Sequence, residues 1–166
     1  YMRKYFDPQS RKTLRDYAQE NNIIMFRYAD VLLMYAEAML EQNKMNQSVW
    51  DATIKKIRSR AGFTAASALN YPSTLSTTEM RELIHRERRI ELVFEGLRYY
   101  DIVRWKEGTK YLNGVVNGAK FANNNSSYIT LDSRKFNEGK DYLWSVPIEE
   151  IVKNPNLKPN NPGYSE

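Results

Sequence analysis

The stretch RELIHRERRIELVFEGLRYYDIVRW, residues 81–105, combines the densest run of charge in the sequence with a continuous apolar stripe. Apolar side chains recur at helical spacing from Met80 to Phe94, which predicts an amphipathic helix. Ser76 and Glu79 have the spacing of a capping box, in which a hydroxyl and a carboxylate satisfy backbone N–H groups at the start of a helix. The sequence therefore predicts a mainly helical protein organised around this element.

The same stretch predicts where this helix ends and where a shorter one follows. Gly96 is placed to form a left-handed cap after the last turn, because glycine adopts a positive φ without steric cost. A second helix is expected over residues 99–106, with Tyr100 and Val103 buried and Gly108 as its end. The stretch should therefore fold as a long helix, a cap and a short helix.

Acidic and basic residues alternate along this stretch, and they predict ion pairs within it. Glu87, Glu91 and Glu95 are spaced i, i+4 and could in principle hold a metal ion or act as acid and base, but arginines are interleaved with them. We therefore interpret them as an ion-paired scaffold and not as an active site. The expected pairs are Glu91 with Arg88, Glu95 with Arg98, and Asp101 with Arg98 or Arg104.

Two further amphipathic helices are predicted upstream. One runs from Tyr28 to Leu40, and the next begins near Ser48 and ends before Gly62, with a turn at residues 43–47 between them. A short turn between two helices predicts an antiparallel hairpin, the unit of helical-repeat scaffolds. The predicted fold is mostly α, with tetratricopeptide-like helical hairpins plus irregular loop-rich segments, although one hairpin without a repeat period fits that consensus only weakly.

The composition excludes several classes of function. The 166 residues contain no cysteine and one histidine, His85, so a cysteine- or histidine-based metal site or a catalytic triad is not expected. Neither a nucleotide-binding nor a hydrolase motif occurs, and we expect no cofactor, no metal ion and no enzymatic activity. The net charge of +5 is small and acids interrupt every basic run, so no nucleic-acid partner is expected.

A polar, Asn- and Gly-rich segment, residues 109–141, is the candidate ligand-binding region. Twelve tyrosines and three tryptophans exceed what a helical core requires, and an aromatic ring with a polar handle suits the face of a sugar. Short β-strands are possible at residues 115–116 and 128–131. Loops on a rigid scaffold often carry recognition, although a surface loop without a ligand is also compatible with this composition. The candidate ligand-binding residues are Tyr111, Asn123, Asn124, Asn125 and Tyr128.

Several segments, in their order along the chain, resemble the C-terminal part of the SusD/RagB family of nutrient-binding lipoproteins. Four ordered groups of segments carry the resemblance, which covers about half of the residues and nearly the whole length of the chain. They are residues 27–38 (RYADVLLMYAEA), 57–62 (IRSRAG) and 87–105 (ERRIELVFEGLRYYDIVRW), and a last group of 146–151 (VPIEEI), 154–157 (NPNL) and 161–164 (NPGY).

The resemblance implies a glycan- or nutrient-binding protein that is lipid-anchored at the outer-membrane surface and covers a SusC-like TonB-dependent transporter. It also implies that residues 1–166 are a single domain, the C-terminal fragment of a larger protein whose N-terminal half is missing here. The matched motifs belong to the scaffold, so the resemblance assigns no ligand-binding residue. The alternative is a free-standing helical-repeat module that binds a protein partner. An isolated chain should expose an apolar patch along Val31, Leu33 and Met34.

Overall fold

The computed structural model of the chain describes residue 4, residues 24–120 and residues 127–165, which fall into two compact units, Tyr1–Arg98 and Tyr99–Glu166. The helices of the first unit are α1 (Tyr28–Glu41), α2 (Gln47–Ala52), α3 (Ile54–Arg60), α4 (Ala66–Leu69) and α5 (Thr77–Glu91). The second unit contains α6 (Arg98–Arg104), α7 (Gly108–Tyr111), strands β1 (Gly114–Lys120) and β2 (Tyr128–Arg134), α8 (Ile148–Lys153) and a 3₁₀ turn, Pro155–Leu157. The first residue of α6, Arg98, is also the last residue of the first unit. Whether the two units act as a single domain stays a prediction.

The core of the first unit forms where α1 packs against α2, α3 and α5. Leu33 and Ala36 of α1, Trp50 of α2, Ile54 of α3 and Ile84 of α5 have no exposed surface. Burying one large apolar side chain stabilises a fold by about 1.5–3 kcal/mol, so these contacts dominate the stability of the unit. The apolar spacing along α1 and α5 is therefore what brings the helices together.

Residues with a positive φ end two of these helices. Asn43 (φ 56°) follows α1 and Gly62 (φ 93°) follows α3. In both caps the next N–H reaches back five residues, from Lys44 to Met39 O at 2.8 Å and from Phe63 to Arg58 O at 3.1 Å. These are Schellman motifs, which satisfy the last carbonyls of a helix. The turn at residues 43–47 and the Gly62 cap are thus as the sequence predicts.

The second predicted helix is divided into α2 and α3 at Thr53. The backbone of Thr53 is not helical (φ −123°, ψ −91°), and its hydroxyl donates a hydrogen bond of 2.6 Å to the carbonyl of Val49. A threonine hydroxyl that binds the carbonyl four residues back competes with the helical ladder and bends a helix. The division lets α2 and α3 both contact α1.

The start of α5 is as predicted and its end is not. Ser76 accepts from the N–H of Glu79, and the Glu79 carboxylate accepts from the N–H of Ser76 at 2.8 Å, which completes the capping box. The helix ends at Glu91 with Leu92 as its C-cap, and Phe94 adopts a positive φ of 64° ahead of Gly96 at 76°. The prediction of helical residues up to Phe94 was therefore wrong.

The buried face of α6 differs from the predicted one. Tyr100, predicted to be buried, is 68% exposed, whereas Asp101 and Ile102 are each 4% exposed. Lys106, with φ 57°, ends the helix, and Gly108 begins α7. The prediction gave the Tyr100 ring priority over Asp101, an acid that Arg104 holds at 2.9 Å, and it chose Val103, which is only half-buried, in place of Ile102.

Strands β1 and β2 form an antiparallel hairpin, which confirms the short strands predicted from the sequence. Gly114 pairs with Arg134 at one end and Lys120 pairs with Tyr128 at the other, with irregular register in between. Every residue of β2 is exposed. Because these residues are exposed, the hairpin surface is available for contact with another molecule or segment. A two-stranded hairpin has little stability of its own in water, and such a contact would stabilise it.

The C-terminal residues form a strap whose asparagine and tyrosine side chains bind the backbone around residue 144. Asn161 Nδ2 donates to Trp144 O at 2.6 Å, and the Tyr164 hydroxyl donates to Leu143 O at 3.0 Å. Asn160 Oδ1 accepts from Val146 N at 2.9 Å. The strap fixes a segment that has no regular structure, and the predicted combination of helices with irregular segments is confirmed.

Candidate functional site

The predicted ligand-binding residues lie around the hairpin. Tyr128 is the first residue of β2 and is 62% exposed, with Lys120 Nζ 5.6 Å from the centre of its ring. Tyr111 is the last residue of α7 and is half-buried, with Lys110 Nζ 5.0 Å from its ring centre. Tyr128 therefore has the accessibility that stacking on a ligand requires, and Tyr111 has less of it.

The hairpin keeps these two tyrosines at different ends. Tyr111 precedes the Gly114–Arg134 end, and Tyr128 lies at the Lys120 end. Six residue steps of a strand span roughly 20 Å. One sugar ring cannot bridge that length of strand, so the two tyrosines suit separate units of a longer ligand. Asn123, Asn124 and Asn125 lie outside the described residues.

A second group of aromatic side chains lines a cleft of about 180 Å³ in the second unit. Its lining residues are Tyr99, Asp141, Leu143, Trp144 and Tyr164. Trp144 is 76% exposed, and its ring centre is 6.4 Å from that of Tyr99 at an interplanar angle of 55°. Lys140 Nζ lies 4.5 Å from the ring centre of Tyr164. The cleft thus combines inclined aromatic faces with an acid and a neighbouring cation.

This cleft is not predicted by the patterns described above, although the sequence carries a signal for it. Trp144 stands in the segment DYLWSVP, residues 141–147, where no helical or strand period offers a buried face to a ring. A tryptophan outside any apolar stripe is expected to be exposed or to contact a partner. Tyr99 and Tyr164 come from segments far apart in the sequence, and only the folded chain shows that they meet Trp144.

The acidic residues at the end of α5 and just after it are engaged by cations from other segments. Arg27 Nη1 lies 2.5 Å from Glu91 Oε1, and Arg27 Nη2 lies 2.7 Å from Glu95 Oε1. Lys4 Nζ is 2.5 Å from the same Glu95 oxygen, and Arg60 also pairs with Glu91. The prediction of an ion-paired scaffold fits these contacts, which join Glu91 and Glu95 to other segments. The predicted pairings of Glu91 with Arg88 and of Glu95 with Arg98 stay predictions.

Two further ion pairs join α5 to its neighbouring helices. Arg88, only 5% exposed, pairs with Asp30 of α1 at 2.8 Å. Arg58 of α3 pairs with Glu87 at 2.5 Å. Because the charges of α5 contact α1 and α3, they fix how the three helices pack, which residues spaced along one helix cannot do.

The electrostatics of Glu95 oppose a role in acid–base chemistry. Burial raises the pKa of Glu95, but hydrogen bonds from Arg27 and Lys4 outweigh burial, so its pKa lies below the ordinary value. For Arg27 the same two effects have the opposite sign. Burial lowers the pKa of Arg27, but its hydrogen bonds to Glu95 and Glu91 raise it by more, so the pKa lies above the ordinary value. A general acid at neutral pH needs a raised carboxyl pKa, which Glu95 lacks. His85 is buried, at 7% exposed.

Neither a metal site nor a membrane-spanning helix is found in the described part of the chain. Among residues 4, 24–120 and 127–165, no three His, Asp or Glu side chains are grouped as metal ligands would be. No helix within these residues has the length and apolar character needed to cross a bilayer.

Comparison with known proteins decides the family. The family model of the SusD family matches residues 1–164. The chain belongs to the SusD family. The SusD-like protein P2 of Formosa agariphila is 38% identical over 144 residues, which cover 86% of this chain and 26% of that protein. The predicted family resemblance is thereby confirmed.

Solved structures of the SusD family agree with the fold. A SusD-like protein from Bacteroides fragilis superimposes with a TM-score of 0.69 at 35% identity, covering 84% of this chain and 25% of that one. A second protein from Bacteroides fragilis, described as a SusD-like carbohydrate binding protein, gives a TM-score of 0.65 at 34% identity, covering 80% of this chain and 28% of that one. This SusD-family chain thus spans about a quarter of the length of the relatives it matches.

Proposed function

We propose that this chain is the C-terminal part of a non-enzymatic, carbohydrate-binding surface protein of the SusD family. The observation that carries the proposal is the family match over residues 1–164, joined to 34% identity with a protein described as carbohydrate binding. The whole protein is lipid-anchored at the outer-membrane surface through its N-terminal half. It delivers a glycan or another nutrient to a SusC-like TonB-dependent transporter.

Carbohydrate contact in this part of the protein is proposed for the hairpin region. Tyr128 offers an exposed ring for stacking on the apolar face of a sugar, and Tyr111 offers a second ring toward the other end of the strands. The amide side chains of Asn123, Asn124 and Asn125 can accept from and donate to sugar hydroxyls. The hairpin places the flanking residues on an exposed surface, which supports this assignment.

The absence of enzymatic activity is proposed from the state of the carboxylates. Glu91 and Glu95 are bound by arginine and lysine side chains, and Glu87 is bound by Arg58. These contacts support a scaffold role for the three carboxylates, whereas glycoside hydrolysis requires a pair of carboxyl groups that face the scissile bond. The protein binds its glycan and passes it on unchanged.

A protein-binding module is the second candidate function, and the exposed side of α1 favours it. Val31, Met34 and Tyr35 are each about half exposed, at 50%, 47% and 48%. An apolar helix face is a usual docking surface for another helix. The gene distinguishes the two candidates, because a reading frame with an upstream signal peptide and lipobox cysteine fits the surface lipoprotein and a frame without them fits the module.

The proposed function is tested by replacing Tyr111 and Tyr128 together with alanine in the full-length protein. Binding is first surveyed on a glycan array and then measured by calorimetry with the best oligosaccharide. We expect Kd to rise about tenfold or more, since truncating an aromatic anchor costs on the order of 2 kcal/mol. Phe63→Ala, at a 53% exposed aromatic in the first unit, is the control and should leave Kd unchanged. A wild-type protein that binds no glycan on the array contradicts the proposed function.

A further inference from the structure

The cleft around Trp144 has the chemical character of a sugar-binding subsite. Trp144 is 76% exposed, whereas Trp50 of the core has no exposed surface. Tryptophan is among the side chains that a soluble protein exposes least without a reason, because each ring carries a large apolar area. The Tyr99 ring lies beside Trp144 and is inclined to it by 55°, so the two rings present differently oriented faces to one cleft.

Polar groups at the cleft match the hydroxyls of a sugar. Asp141 Oδ2 accepts from the N–H of Asn137 at 2.7 Å, which fixes the carboxylate. Its other oxygen, Oδ1, accepts no hydrogen bond from the residues that the structure describes. An ionised carboxylate oxygen accepts strong hydrogen bonds from hydroxyl groups. The Lys140 ammonium lies over the ring of Tyr164, which is itself a lining residue of the cleft.

The backbone that carries Trp144 is held in place before any ligand binds. Asn161 binds the carbonyl of Trp144, and Tyr164 binds the carbonyl of Leu143, both from the C-terminal strap. A site that is already ordered loses less conformational entropy on binding, and more of the contact energy therefore appears as affinity. An exposed ring on a mobile loop would lack this advantage.

We infer that Tyr99, Trp144 and Asp141 form a subsite for one pyranose ring of a neutral oligosaccharide. The apolar C–H face of the ring stacks on Trp144, and its hydroxyls donate to Asp141 Oδ1. A cleft of about 180 Å³ lies below the 300–1,000 Å³ typical of drug-sized ligands, which suits a single sugar unit of a chain that continues into solvent. This inference rests on the proposed carbohydrate-binding function and adds a subsite apart from Tyr111 and Tyr128.

A sugar fits the cleft better than an apolar protein segment does. Aliphatic side chains would place the Asp141 carboxylate against groups that cannot hydrogen-bond, which leaves its charge desolvated without compensation. A sugar ring has an apolar face and a polar edge together, and the cleft offers both. Burial of Trp144 by another segment of the longer protein is the competing arrangement, and the test below separates it.

The test uses the full-length protein and its tryptophan fluorescence. The probes are maltohexaose, laminarihexaose, xylohexaose and mannohexaose, each titrated by calorimetry into the wild type, Trp144→Ala, Asp141→Asn and Phe63→Ala. We expect at least one hexasaccharide to bind, and Kd for it to rise about tenfold or more in Trp144→Ala and by a smaller factor in Asp141→Asn. Phe63→Ala should bind as the wild type does. Acrylamide should quench Trp144 emission without sugar, and bound sugar should protect it.

Each outcome bears on one proposal. Wild-type affinity in both Trp144→Ala and Asp141→Asn overturns the subsite and leaves the proposed function standing, with contact then confined to Tyr111, Tyr128 or regions outside this chain. Protection of Trp144 from acrylamide in the sugar-free protein overturns the subsite as well, because another segment then covers the ring. A wild type that binds none of the probes and no glycan on the array overturns the proposed function, and the subsite falls with it. Since Trp144 is 76% exposed, its truncation is not expected to unfold the protein, and thermal unfolding of the variant checks this.

Discussion

Glu95 is a charged residue whose contribution to the stability of the fold depends on pH. Its carboxylate is 11% exposed and is bound by Arg27 and Lys4. Because its pKa is lower in the folded than in the unfolded chain, its contribution to stability is full above the ordinary glutamate pKa of about 4.3 and is lost as the pH falls through the folded value. The Glu95 contacts therefore stabilise the protein at neutral pH and cease to do so in acid.

We expect Glu95→Gln to lower the free energy of unfolding by about 1–2 kcal/mol at pH 7, which lies between the values for exposed and buried pairs. The difference from the wild type should shrink as the pH is lowered below about 4. Urea unfolding at both pH values measures this. Glu150→Gln is the matched control, because Glu150 is exposed and pairs with Lys153 of its own helix, and it should change little. An equal loss at both pH values would mean that packing, and not charge, explains the effect of Glu95.

Gly108 is a residue whose small size is required by its neighbours. A Cβ on Gly108 would lie 2.3 Å from Phe136 Cε1, and the Phe136 ring packs edge-on against Tyr142 at 4.8 Å between centres. The Tyr142 hydroxyl also accepts from the N–H of Gly108 at 2.9 Å. The start of α7 therefore approaches these rings too closely for any side chain.

Gly108→Ala should destabilise the protein by about 1–3 kcal/mol, the usual cost of overpacking. Thermal unfolding followed by near-ultraviolet circular dichroism reports on the tyrosine environment at the same time. Gly139→Ala is the control, since its Cβ would only make an ordinary contact at 3.5 Å. If both variants unfold at the wild-type temperature, the approach of Phe136 to Gly108 is looser than the structure has it.

At the level of the helices, the sequence predicts which helices form better than it predicts where they end and which of their faces are buried. The period of α1 and the Ser76–Glu79 capping box are local signals, and both are found where predicted. The end of α5 is followed by a positive φ at Phe94, a backbone conformation that an aromatic side chain does not predict. The buried face of α6 depends on an ion pair of Asp101, because a charged residue was read as exposed. Local chemistry therefore predicts the elements, while tertiary contacts decide their boundaries and orientation.

The same distinction holds for the candidate sites. Composition identified the region around Tyr128 as exposed and aromatic, since a polar segment without a period has no face to bury. The cleft at Trp144 was not found, because it joins residues more than forty positions apart, from Tyr99 to Tyr164. The contacts of Glu91 with Arg27 and Arg60 were missed for the same reason, since Arg27 precedes α1 and Arg60 ends α3. Long-range juxtaposition was the information that a single sequence lacked.

On the scale of the whole chain, the outer face of α1 has no cover among the described residues of the first unit. Tyr28, Val31, Met34 and Tyr35 are 67%, 50%, 47% and 48% exposed, and they recur at helical spacing. The predicted patch is thus present at Val31 and Met34, but Leu33 was wrongly included, since it is fully buried in the core. Apolar surface in water costs about 25 cal/mol per Å², which favours association through this face.

We expect the 166-residue chain alone to self-associate in a concentration-dependent manner, measured by sedimentation velocity or light scattering. Val31→Lys together with Tyr35→Lys should shift it to a monomer, because two cations on one helix face repel those of a second copy and resist burial. Leu131→Lys, at a 67% exposed apolar residue of the hairpin, is the matched control and should leave association unchanged. In the full-length protein the α1 substitutions should instead lower stability if another segment packs on this face. A wild-type chain that stays a monodisperse monomer at every concentration would show that the exposed face of α1 does not drive association.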